Sequence, residues 1–226
     1  MSGFALKSLA VSLALLLPTV ASTATVDLTF TGGTSTGSVT ITSAPAGVNE
    51  VATPWPVGAY GFNMTDTASG DSLVAWCLDI SDWLGSGTYE ITSTPFVSSY
   101  GIDALAMTRI QSVFDANYAS VDLGNAIEAA AFQSALWNAL YDTDWLASAG
   151  LFSVEDGTGG ATAQADAYLL AASNYTGSQR FDMTFLESTF GGQNLVTVAP
   201  VPLPAAGLLL LGALGGLGAL RRRRSV

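Results

Sequence analysis

Glu128-Ala129-Ala130-Ala131-Phe132-Gln133-Ser134-Ala135-Leu136-Trp137 is the stretch on which the fold turns. It is mostly small and apolar. The pattern predicts a helix from about Leu123 to Tyr141, with Asp122 as its N-cap. Ala126, Ala130, Gln133, Trp137 and Leu140 recur at intervals of four and three and share one face. That face is apolar except for Gln133. A buried carboxamide costs a few kcal/mol unless it finds partners, so something must meet Gln133.

Outward from this helix the pattern changes in blocks. Ile102, Ala106, Ile110, Val113 and Phe114 place a second amphipathic helix over Asp103–Tyr118, and a shorter one fits Ala163–Ala172 after the Gly157–Gly160 loop. Upstream the alternation is strand-like: Val26–Phe30 and Ser38–Thr42, separated by a hairpin-like Gly32-Gly33. Pro45, Pro54 and Pro56 mark a loop around Trp55. Val57–Met64, Ser72–Ile80 and Gly87–Thr92 read as further strands. Downstream, Arg180–Leu186 and Asn194–Val198 return to strand. Strands, then helices, then strands predict an α+β fold, a β-rich domain with a central helical block. There is no internal repeat.

The two ends read as addresses. Met1–Ala24 has one lysine, Lys7, an apolar stretch from Leu9 to Leu17, and small residues at Ser22-Thr23-Ala24. That is the pattern of a secretory signal peptide, with cleavage expected after Ala24. The mature domain is then 25–200, one domain's worth of chain. The last residues, 201–226, begin with Val201-Pro202-Leu203-Pro204-Ala205, run apolar through Leu220, and end on Arg221, Arg222, Arg223 and Arg224. The run 205–220 is roughly 24 Å long as a helix, or about 30 Å counted from Val201, enough to span a bilayer. The arginines then mark the cytoplasmic stop. This order of motif, helix and basic cluster resembles the VPLPA variant of the PEP-CTERM sorting signal of Gram-negative bacteria. The resemblance implies export through the inner membrane, transient anchoring, processing by an exosortase-like membrane protease-transpeptidase, and delivery to the cell surface or extracellular matrix. A plain C-terminal membrane anchor is the other reading of the same tail.

Between the two ends the charge is one-sided. All 18 acidic residues lie in 25–200, against Arg109 and Arg180 alone. Nucleic-acid binding is thereby excluded, for want of cations to meet phosphate. The chain has no histidine, which removes Ser-His-Asp and Cys-His catalysis and histidine metal sites. No metal or cofactor is expected. Asp142-x-Asp144 and Asp79-x-x-Asp82 suit calcium or a solvated acidic surface, without a full calcium-loop pattern. No hydrolase motif stands out, and no catalytic residue of a conventional enzyme is assigned.

Cys77 is the single cysteine, so an internal disulfide is impossible in an exported chain. It sits in Ala75-Trp76-Cys77-Leu78-Asp79, facing the core, with Trp76 and Leu78 on the opposite face of the strand. A buried cysteine and a buried glutamine can condense, with loss of ammonia, to an internal thioester. They can equally be inert packing, the cysteine as a small hydrophobe and Gln133 bonded to a strand backbone. The two patterns, aromatic-Cys-Leu-Asp and Gln-x-Ala-x-Trp some fifty residues on, resemble the thioester domains of bacterial surface adhesins, the TQXA family. Similar patterns occur in cargo with PEP-CTERM tails. The resemblance implies that Cys77 supplies sulfur and Gln133 the acyl group, with Ala135 and Trp137 completing the motif. The partner would be an amine on a surface or matrix target. Phe132 departs from the family, standing where its name has threonine. Asp79, Glu128 and Tyr141 are candidate bases. The functional expectation is an exported surface or matrix protein, either a covalent adhesin through Cys77–Gln133 or a non-enzymatic structural or polysaccharide-associated protein without a thioester.

Overall fold

The computed structural model describes residues 24–48, 52–92 and 103–201. The expected signal peptide lies outside them except for Ala24. The expected sorting tail, with Pro202–Ala205, the apolar run and the arginines, lies outside them except for Val201. Among the described residues no helix is long and apolar enough to cross a membrane.

In chain order the elements are β1 (Ala24–Gly33), β2 (Ser38–Ser43), β3 (Trp55–Gly58), β4 (Phe62–Asp66), β5 (Ser72–Cys77), β6 (Gly87–Thr92), α1 (Ala104–Asn117), α2 (Ala126–Tyr141), β7 (Ser153–Asp156), α3 (Ala161–Ser173), β8 (Phe181–Ser188) and β9 (Leu195–Pro200). The larger sheet closes into a barrel in the order β1-β4-β5-β9-β8-β6, with antiparallel neighbours throughout. A smaller antiparallel sheet, β3-β2-β7, lies apart from it. The α+β reading stands, with strand blocks on either side of the helices.

Four local expectations change. Gly32-Gly33 does not turn β1 into β2. Instead β1 runs through both glycines, pairing with β4 and β6, and its register slips between Phe30 and Gly32. Gly32, at φ 145°, supplies that irregularity. The single strand expected over 57–64 is two, and the Trp55 loop is largely β3, because the chain leaves the small sheet at Gly58 and enters the barrel at Phe62. β7 is new; its four residues carry one internal apolar side chain and too little alternation to read from sequence. Asn125, not Asp122, caps α2, accepting from the Ile127 and Glu128 N–H groups. Asp122 instead accepts from Gly124 N at 3.0 Å, which ends the preceding turn.

α2 is the axle of the fold. From Ala129 to Ala139 every side chain is buried, so it has no single apolar face and behaves as a helix wrapped on all sides. Its alanines let neighbours approach closely. At Gly37, where the chain enters β2, a Cβ would lie 2.4 Å from the Ala126 carbonyl oxygen. The side chain of Phe132 explains the position where the resemblance expected threonine. Its ring packs on Trp76 at 4.8 Å between centroids and on Phe114 at 5.3 Å, joining β5 to α1 and α2. Edge-to-face pairs of this kind add roughly 0.5–1.5 kcal/mol beyond the area they bury.

Candidate functional site

The structure brings Cys77 and Gln133 together. β4 begins only at Phe62, opposite Ala75 of β5. In an antiparallel ladder the next main-chain pair pointing the same way belongs to Cys77, and β4 is no longer there to meet it. The Gln133 carboxamide takes that place. Cys77 N–H donates to Gln133 Oε1 at 3.0 Å, and Gln133 Nε2 donates to the Cys77 carbonyl at 2.7 Å. Gln133 is 1% exposed and Cys77 likewise. The carboxamide carbon of Gln133 is thus pinned against the cysteine residue itself.

The thiol turns along its own chain. Cys77 Sγ donates to the Asp79 carbonyl at 2.9 Å. Trp76, Cys77 and Leu78 are all buried, so both faces of this strand end are covered, Trp76 by the Phe132 cluster. β5 stops at Cys77 rather than continuing to Ile80, and α2 explains why. Tyr141 OH donates to the Leu78 carbonyl at 2.8 Å and accepts from Ile80 N at 3.4 Å. These side-chain bonds replace a strand partner and let the chain bend.

Electrostatics around the sulfur disfavour a thiolate. Burial pushes the Cys77 thiol far above its usual range, and the charge of Asp79 pushes the same way. The Trp137 side chain and the Asp79 backbone pull it back. Tyr89, buried nearby on β6, is pushed up to about 12 by burial first and then by the cysteine. Asp82 rises from 3.8 to about 6, through burial, a hydrogen bond with Asp79, and the charge of Asp79. Asp79 Oδ1 is itself anchored by Ser81, whose hydroxyl donates at 2.6 Å.

The Asp82 shift has a sign. A carboxyl raised in the folded state contributes stability that is complete below 3.8 and lost as pH climbs through about 6. Asp82→Asn should flatten the fall in denaturation midpoint across that window. Equal slopes in the two proteins would remove Asp82 as its source.

Of the candidate bases, Asp79 and Tyr141 lie at the site and Glu128 does not. Glu128 sits at the start of α2, accepting from Asp122 N at 2.9 Å and from Tyr168 OH at 3.4 Å. Ala135 is buried in α2 with Trp137. The row that matters is Gln133, Trp137, Tyr141, one residue per turn along Cys77–Ile80; two polar side chains eight residues apart on one helix face are the signal that finds Tyr141 with Gln133. Asp142 and Asp144 organise a loop. The Asp142 carboxylate accepts from Thr143 N, Asp144 N and Phe152 N. Among the described residues no group of three or more acidic or cysteine side chains is placed to hold a metal ion.

No protein family matches this sequence, and no curated protein matches it. Among solved structures, the chain is similar to the N-terminal thioester domain of a surface protein from Clostridium perfringens. The TM-score is 0.40 at 10% identity, over 73% of this chain and 99% of that one. It is also similar to the N-terminal domain of the Streptococcus pyogenes pilus tip adhesin Cpa, with TM-score 0.37, 10% identity, and 73% and 94% covered. Both scores fall below 0.5, so the chemistry of the site rests on its own geometry.

Proposed function

We propose that this chain is an exported cell-surface or matrix protein whose domain carries an internal thioester between Cys77 and Gln133, used for covalent attachment to an amine. One observation carries the reading: the buried Gln133 carboxamide is held by two hydrogen bonds against Cys77. Condensation joins Sγ to the Gln133 carboxamide carbon; the thiol proton and the amide nitrogen leave together as ammonia. Reactants and products are neutral, which suits a site where burial opposes a thiolate. In the second step an amine nitrogen attacks the same carbon. An amide forms, the carbon–sulfur bond breaks, and the amine's proton ends on sulfur.

Delivery by the signal peptide and the VPLPA-type tail is part of the same proposal, with an exosortase-like enzyme as processing partner and residues 205–220 as the passing membrane contact. The mature domain contains no lysine, so it offers no ε-amine of its own to open the thioester.

The Gln133–Cys77 backbone pairing also supports a second reading. There the carboxamide only completes the sheet edge, and the domain is a structural or polysaccharide-associated matrix protein. Biotin-cadaverine separates the two. The thioester reading predicts one covalent label per chain, on Gln133. An unlabelled wild-type protein contradicts it.

A further inference from the structure

Trp137 lies between Gln133 and Tyr141 on the α2 row. Gln133 serves the main chain of Cys77, and Tyr141 serves Leu78 and Ile80. Trp137, one turn from each, is therefore opposite the Cys77–Asp79 turn, where the sulfur lies. It is 1% exposed, and its Nε1 has no hydrogen-bond partner among the described residues. A buried donor without a partner costs about 1–3 kcal/mol. The ring packs on Phe152 at 6.3 Å between centroids, so packing alone would be met by phenylalanine, which carries no such cost. Trp76 Nε1 is likewise unpartnered, but its neighbour is Tyr118, on the other side of the strand.

We propose that the Trp137 indole N–H is a catalytic donor that receives the Cys77 sulfur as the thioester opens. It rests on the thioester reading above. As the amine attacks the Gln133 carbon, the electron pair of the carbon–sulfur bond goes to Sγ. The new thiolate has the Asp79 carbonyl on one side, which repels it, and the negative Asp79 and Asp82 near by. The indole N–H is the buried donor that meets the charge until the amine's proton reaches sulfur. The thiol then turns to the Asp79 carbonyl, the contact seen at 2.9 Å. The Trp137 side chain pulls the thiol's proton affinity down, as a donor beside the sulfur would.

Trp137→Phe tests it in the full-length chain purified in detergent. Intact mass is followed before methylamine and with time after it. A hydrogen bond to a charged group is worth roughly a factor of ten or more, so opening by methylamine should slow at least about tenfold. The starting mass should still be short by one ammonia. A second variant carries benzothienylalanine at position 137, which keeps the ring shape and replaces the N–H by sulfur; it should slow equally. Wild-type opening rates in either variant that has formed the bond overturn the role of Trp137 and leave the thioester standing. A wild-type mass equal to the sequence overturns both.

Discussion

Cys77→Ala and Gln133→Ala are each expected to abolish amine incorporation, and to differ in stability. Either change removes one end of the proposed bond, so labelling falls to background in both. Both also lose the same cross-link between residues 77 and 133, so any stabilisation from that loop closure cancels in the comparison. What remains is local. Cys77→Ala leaves a small cavity, about 1 kcal/mol. Gln133→Ala strips the partners from the buried N–H and C=O of Cys77. At about 1–3 kcal/mol for each of the two orphaned groups, it should cost about 2–6 kcal/mol. Urea denaturation with the m-value held constant reads the difference. Equal stability of the two variants would mean that the carboxamide is not holding the sheet edge as the geometry states. Persistent labelling of either would remove it from the chemistry.

The second large effect is expected at Arg109. The residue is 4% exposed, and its guanidinium clasps α1 to the end of α2. Nε donates to the Ala139 carbonyl at 3.3 Å, and one terminal nitrogen donates to Thr143 O at 3.1 Å. The other meets Asn138 Oδ1 at 3.1 Å and the Asp144 carbonyl. Trp145 lies over the guanidinium, 4.0 Å from ring centroid to Cζ. Burial lowers the proton affinity of Arg109, and the charges of Asp142 and Asp144 work to restore it. Arg109→Met keeps the stem and removes every donor. Four oxygens lose a partner and two acidic neighbours lose their cation, so about 3–5 kcal/mol should be lost. Denaturant unfolding measures it. A loss under about 1 kcal/mol would show that water replaces the clasp without penalty.

Sequence and structure agree where one signal dominated. The helices α1, α2 and α3 were legible from spacing because long periodic segments carry many consistent residues, and Asp103 marked the start of α1, as its bond to Ala106 N at 2.7 Å shows. The Gly32-Gly33 pair misled because two glycines look alike in a hairpin and in a bulged barrel strand. Which strand pairs with which is set by closure of the barrel, a long-range matter that alternation does not carry. At the site, the oddness of Gln133 on an apolar helix and Cys77 in an apolar strand was visible, and the two do meet. Bonding of Gln133 to a strand backbone was one of the two readings, and the structure shows it; that the backbone is that of Cys77 itself was not legible, because it depends on β4 starting only at Phe62. Glu128 shared a helix with Gln133 but lies in its first turn, and five residues along an α-helix turn its side chain about 140° away from that of Gln133.

The most direct test of the central claim is the intact mass of the protein before any amine is added. The account predicts a mass short of the sequence by one ammonia and a thiol silent to alkylation. Methylamine should then add one adduct and release the thiol. A mass equal to that of the unmodified polypeptide, with one alkylatable thiol from the start, would contradict it.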